Sequence, residues 1–295
     1  GLTIASVFTH QEPVTKQISI GDSAKKLVFL DNLALFALLC HSKDATSRVK
    51  FADRKTNRIL PVIEIESRLG QQRKEPIFQQ NEIPMCAFVW QIQRQDRVSK
   101  KLIVGSLIND QAGSLKVLDV AKVSADTTVI KLVELISIPR DEPVTCIEQV
   151  ESTILFSCGC KIYSTSYSLE DRKLRPVTKL ATLSSPIVSI LVNEENSILV
   201  STRMDSLLVF LYTPGAEYQT PDPDAMEQDN ESSETLSVVF KDPVSRSIVN
   251  HSHICETLVA GDKLHSSLII IDPKRASLKN QFMFKMSVIP RVLIT

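Results

Sequence analysis

The sequence predicts an all-β protein of the β-propeller class, WD40-like in its repeat, and three observations lead there. First, a strand pair recurs five times. It reads LFALLC from Leu35 with VKFAD, LIVGSL from Leu102 with GSLKVLDV, ILFSC from Ile154 with KIYSTS, ILVST from Ile198 with DSLLVFLY, and LVAG from Leu258 with SSLIIID. Second, the copies start at 35, 102, 154, 198 and 258, so they are spaced by 67, 52, 44 and 60 residues. Strand repeats of about this length with no helical segment between them are the mark of propeller blades. Third, prolines stand in one phase of the repeat, at Pro84, Pro143 and Pro186, each announcing the innermost strand of a blade. Proline is tolerated at the first strand position, where no ladder donor is required.

The elements follow in order from alternation and β-branched enrichment. Leu2–Phe8 and Val14–Ile20 read as the outer half of a blade, and Ala24–Phe29 as the start of the next. The innermost strands are EIPMCAFVW, EPVTCIEQV and SPIVSILV, with SRSIVNHSHI in the same place without a proline. Val129 (VIKLVELIS) and Leu174 (LRPVTKLATLS) begin outer strands. Gln281–Thr295 is expected to start a further blade. Residues 1–295 are therefore expected to be one propeller domain of five recognisable blades with partial blades at the ends, cut from a longer polypeptide. A single blade cannot cover both of its faces, whereas stacked blades bury them against each other. Thr213–Glu234, with three prolines and an acidic excess, is expected to be a mobile surface loop, and Glu66–Pro76 a second, mildly basic one.

Composition narrows the function classes. Lys plus Arg equals Asp plus Glu at 34 each, so net charge supplies no drive toward nucleic acid or acidic membranes. No apolar run reaches the ~18 residues of a membrane span. The six cysteines (40, 86, 146, 158, 160 and 255) fall mostly in apolar strands, as buried reduced thiols do, and no secretory signal or disulfide spacing accompanies them.

Several residue groups invite a chemical reading. His251, His253 and Cys255 alternate along HSHIC and so share a sheet face, but no further ligand pair stands near them in sequence, and a core or channel-lining strand is the expected role. Cys158-Gly-Cys160 has the spacing of a tight hairpin turn, and Glu194-Glu195 that of a solvated one. No GxSxG and no Gly-rich phosphate loop occurs among only eight glycines and five histidines. The basic clusters Arg94–Lys101 and Asp272–Lys279 read as solvated turns. No catalytic, cofactor-binding or metal-binding residue is assigned, no cofactor is expected, and the sequence names no partner-contacting residue.

Two further stretches carry a resemblance. GDSAKKLVFLDNLALFALLC from Gly21 and ILVSTRMDSLLVFLYTP from Ile198 resemble the damaged-DNA-binding protein large subunit/CPSF-A family, as do GSLKVLDV from Gly113 and the order of the remaining blades. The chain departs from that pattern at Ser201-Thr202, where the family has Gly-Asp, and at Ala24, where it has proline. The resemblance implies the C-terminal propeller of a three-propeller, non-enzymatic scaffold in the nucleus. It further implies protein subunits of a large complex as partners, with room for an indirect association with nucleic acid, and neither a membrane nor a small-molecule substrate. Cullin–RING ligase adaptors of the DNA-repair or chromatin type are the leading branch. RNA-processing scaffolds (splicing factor 3b subunit 3, cleavage and polyadenylation factor large subunit) are the alternative, and a propeller enzyme is a third class. The family's cullin contact lies in another propeller, so no cullin-binding residue carries over.

Overall fold

The computed structural model describes residues 2–8, 11–41, 49–66, 72–73, 75–79, 81–94, 97–109, 112–138, 142–168, 173–193, 196–215, 234–254, 257–271 and 281–285. They form strands throughout, with one three-residue 3-10 turn at Asp31–Leu33. The fold class is that expected: an all-β chain whose sheets are propeller blades. The chain divides into two compact units, Gly1–Ile147 with Ser166–Arg175, and Glu148–Thr165 with Pro176–Thr295.

The strands run in chain order through successive sheets. β1 (Leu2–Phe8) and β2 (Gln11–Ile18) pair as a two-stranded sheet. β3 (Ser23–Leu30), β4 (Leu35–His41), β5 (Val49–Asp53) and β6 (Ile59–Leu60) form the next sheet. β7 (Val62–Ile65), β8 (Glu82–Arg94), β9 (Arg97–Ile108), β10 (Ala112–Ser124) and β11 (Thr127–Ile138) form a five-stranded sheet in the order β7-β11-β10-β9-β8. β12 (Val144–Val150), β13 (Thr153–Cys158), β14 (Lys161–Ser168) and β15 (Lys173–Leu174) follow, with β16 (Thr178–Thr182) also pairing with β14. β17 (Ile187–Val192), β18 (Ser197–Thr202), β19 (Leu207–Thr213) and β20 (Thr235–Lys241) form a further sheet. The last comprises β21 (Ile248–Ile254), β22 (Thr257–Asp262), β23 (Ser267–Ile271) and β24 (Gln281–Lys285).

All five recurrent strand pairs of the sequence are adjacent strands here: β4-β5, β9-β10, β13-β14, β18-β19 and β22-β23. Three expectations are corrected. Pro143 and Pro186 precede β12 and β17 rather than opening them, and Pro84 is the third residue of β8. Pro84 is accommodated because β8 is an edge strand with a register shift between Pro84 and Cys86, where a missing N–H breaks no regular ladder. Residues 281–285 do not begin a further blade. They return beside β23, Ser267 opposite Lys285 and Ile269 opposite Met283, and complete that blade's own fourth strand. The outer run from Leu174 is split into β15 and β16 around Pro176. Of the expected 213–234 loop, residues 216–233 lie outside the described residues, as do 67–71 and 74 of the basic one. Its end at Glu234 is fixed, accepting a hydrogen bond from the Ser164 hydroxyl at 2.5 Å.

In the first unit the core lies between the β3–β6 sheet and the five-stranded sheet. Leu30, Leu35, Ala37, Leu39 and Phe51 meet Ala87, Leu102, Val104, Leu118 and Ile130, with Ile77 and Phe78 from the segment before β8. Each large side chain buried this fully contributes about 2 kcal/mol. On the flank of the core, Lys122 pairs with Asp53 and Lys100 with Asp31 at 2.6 Å. Asp53 also accepts from the backbone N–H groups of Lys55 and Thr56, closing the β5–β6 turn. Lys122, and then those turn N–H groups, hold the Asp53 carboxyl below the usual carboxylate range against its burial.

In the second unit Leu199, Leu207, Val209, Ile248, Leu258, Ala260 and Ile269 form a core. Arg246 lies between Asp242, 3.0 Å from its Nε, and Asp262. Asp242 also accepts from Ser206 at 2.6 Å, and Asp262 contacts His265 Nδ1 at 2.5 Å and accepts from the Leu264 N–H. One buried guanidinium thus ties together the turns after β18, β20 and β22.

Tyr212, on β19, donates its hydroxyl to Thr153 at 3.3 Å. Burial, reinforced by Glu234 and opposed by Thr153, pushes its phenol up to about 12. Because the folded value exceeds the unfolded one, the stability this group contributes is whole below pH ~10. It is lost as pH rises toward about 12. Urea midpoints followed through that window should fall more steeply for the parent chain than for Tyr212→Phe. Equal slopes would show that Tyr212 ionises without cost.

Candidate functional site

The five-stranded sheet differs from the others in strand length. β8 to β11 have 13, 12, 13 and 12 residues, and no other described strand exceeds eight. Apolar alternation simply continues past the blade-length segment, and on β10 and β11 it runs to the turn at SADT. Beyond the core, β7 joins this extension by parallel pairing with β11, from Val62 opposite Thr128 to Ile65 opposite Lys131. The same sheet carries five of the exposed large apolar side chains: Ile63 at 41%, Val98 at 50%, Val123 at 69%, Val133 at 41% and Leu135 at 47%.

Cross-strand register puts a defined row on one face. Trp90 on β8 pairs with Lys101 on β9. Lys101 Nζ lies 2.9 Å from Asp119 Oδ1 on β10, and Asp119 pairs with Lys131 on β11. In the next row Ile103 pairs with Val117, and Val117 with Glu134. A bulge between Val117 and Leu118 brings Glu134 into register there. Of these, Trp90, Lys101, Val117, Asp119, Lys131 and Glu134, with Ile92 and with Tyr167 and Leu174 from β14 and β15, line a cleft of about 320 Å³ that Leu132 and Val133 also border. Trp90 is the chain's one tryptophan. It is 1% exposed and meets Tyr167 edge-on, ring centroids 5.8 Å apart. Its indole N–H is buried without a hydrogen-bond partner among the described residues.

A buried polar cluster lies elsewhere in this sheet. Glu82 Oε1 accepts from Lys116, Ser106 and Ser114, and Oε2 from the Gln79 N–H at 3.0 Å. Lys116 sits 5.2 Å from the centroid of the Phe78 ring. Burial lowers the Lys116 ammonium below its ordinary range, and Glu82 opposes that shift. With both charges consumed by each other and the hydroxyls, the cluster orders the segment entering β8 and offers no free acid or base.

The residues singled out in the sequence do not converge on this face. His251 is buried on β21, His253 follows on the same strand, and Cys255 lies outside the described residues. Among the described residues no three His, Cys, Asp or Glu side chains cluster as a metal site. Cys158 and Cys160 flank Gly159, whose φ of +58° makes the tight β13–β14 turn that their spacing predicts. Burial raises the Cys40 thiol and raises that of Cys86 further, which suppresses thiolate chemistry. Lys100 and Lys101 lie on strand β9 and are spent on Asp31 and Asp119, so this end of the basic cluster is not a solvated turn. Glu194, Glu195 and 272–279 lie outside the described residues. The face at Trp90 went unread, although the lone tryptophan and the length of the alternating runs were available signals.

No protein-family model matches the chain, and no curated protein matches it with significance.

Proposed function

We propose that this chain is a non-enzymatic protein-interaction module of a larger nuclear assembly, of the cullin–RING ligase adaptor type in DNA repair or chromatin. The propeller fold is compatible with a scaffold. The observation that carries the reading is the over-long sheet itself, whose two faces bear the exposed apolar side chains Ile63, Val98, Val123, Val133 and Leu135, which a partner would gain by covering. The buried charges Glu82, Asp53, Asp242 and Asp262 are consumed by turns and ion pairs. The nuclear branch rests on the family resemblance alone.

The test is native affinity purification of the tagged parent protein with cross-linking and mass spectrometry. A stable set of subunits containing a cullin or DNA-repair proteins supports the proposal, with cross-links on β8–β11. Splicing or 3′-end cleavage subunits would move the protein to the RNA-processing branch. Recovery of the chain alone, without cross-links on that sheet, would overturn the scaffold reading.

A further inference from the structure

Lys131 and Glu134 are the two charged groups of the Trp90 cleft with no ion pair among the described residues; Lys101 and Asp119 satisfy each other. They stand opposite Asp119 and Val117, two residues apart on β10. Two residues of strand span ~6.6 Å, which is also the distance between same-side side chains of an extended peptide. A ligand in that conformation can therefore meet both charges at once. The walls between and beside them are apolar or aromatic: Ile92, Val117, Tyr167 and Leu174. Such a cleft selects apolar neighbours, and it favours partners whose charges are placed to match.

We propose that this cleft docks an extended segment of a partner protein in which an acidic and a basic side chain stand two residues apart, flanked by aliphatic residues. The acid pairs with Lys131 and the base with Glu134, while the flanking residues cover Tyr167 and Leu174. The inference rests on the scaffold reading and adds where and what the scaffold grips.

Because the chain has a single tryptophan, its emission reports on the cleft directly. The whole chain is titrated with the capped peptide acetyl-Leu-Glu-Ala-Lys-Leu-amide and, separately, with the same peptide carrying glutamine at both charged positions. The expected result is a saturable change in Trp90 emission with the charged peptide. The glutamine peptide should bind at least about fivefold more weakly, as expected for the loss of two partly exposed ion pairs. Lys131→Glu and Glu134→Lys should each weaken the charged peptide by a similar factor without moving the melting temperature. No emission change with the charged peptide, or equal binding of the two peptides, overturns the proposal. If the purification still recovers its subunits in that event, the scaffold reading stands and only the cleft is wrong.

Discussion

Replacing Gly105 by alanine should destabilise the first unit by about 3 kcal/mol, at the upper end of what overpacking a core costs. A Cβ at this position would lie 2.5 Å from Val144 Cγ1, 2.7 Å from Cys86 Sγ and 2.9 Å from Val144 Cβ. None of these is the loose end of a flexible chain. Val144 is β-branched, with few rotamers to choose from, and fully buried. Cys86 is pinned by a hydrogen bond from its Sγ to the Val144 carbonyl at 3.4 Å. Relief therefore needs β9 and β12 to move apart. The cause is space and not backbone conformation, so Val144→Ala should rescue in part: it removes the Cγ1 that meets the new methyl first and leaves the Cys86 Sγ and Val144 Cβ contacts. The check is a double-mutant cycle from urea unfolding, in which Gly105→Ala costs less in the Val144→Ala background than in the parent. Additive losses would place the damage in the strand itself.

The second large effect is expected at the buried pair. Glu82 is 0% and Lys116 3% exposed at the side chain. Removing one member strands a charge in the interior, at a cost of about 3–5 kcal/mol, whereas replacing both with apolar side chains of similar size can be close to neutral. Glu82→Leu and Lys116→Met should thus each unfold the chain at markedly lower urea. The double variant should recover much of the loss. Recovery should stop short of complete, because Ser106, Ser114 and the Gln79 N–H also use Glu82 as acceptor. A double variant as unstable as the sum of the singles would show that the two charges are held by other groups and not by each other.

The same pair shows where the sequence runs out as a guide. The five hairpins were legible because each is local: an apolar strand, a polar turn, a second apolar strand. Which side chains face inward was less so. Leu115, Lys116 and Val117 are consecutive on β10 and all buried, since neighbouring sheets cover both faces of a blade. Alternation then no longer separates core from surface, and a lysine inside LKV reads as the outward residue. β7 was missed for a different reason. VIEI is too short to show a period, and its partner on β11 is more than sixty residues away. The cleft at Trp90 depends on register across four strands and on a bulge at Val117, neither of which leaves a mark in the sequence. The fate of residues 281–285 turned on the pairing of QFMFK with SLIII, two apolar runs that a linear reading had no reason to join.

The passage from β6 to β7 has a bearing on how the first unit comes apart. Only Pro61 separates a strand of one sheet from a strand of the next, and its carbonyl accepts the Thr128 N–H at 3.0 Å. Peeling β7 off β11 therefore pulls directly on β6, and loosening β6 tugs on β7. Neither sheet can open at this corner alone, so amide protons on β5, β6, β7 and β11 should exchange as one cooperative group. Assembly has a matching order. A parallel partner so distant in sequence is a late and slow contact, because its loop must close before any bond rewards it. The β10–β11 hairpin is expected to stand first, and the clasp that fastens the two sheets to close after it.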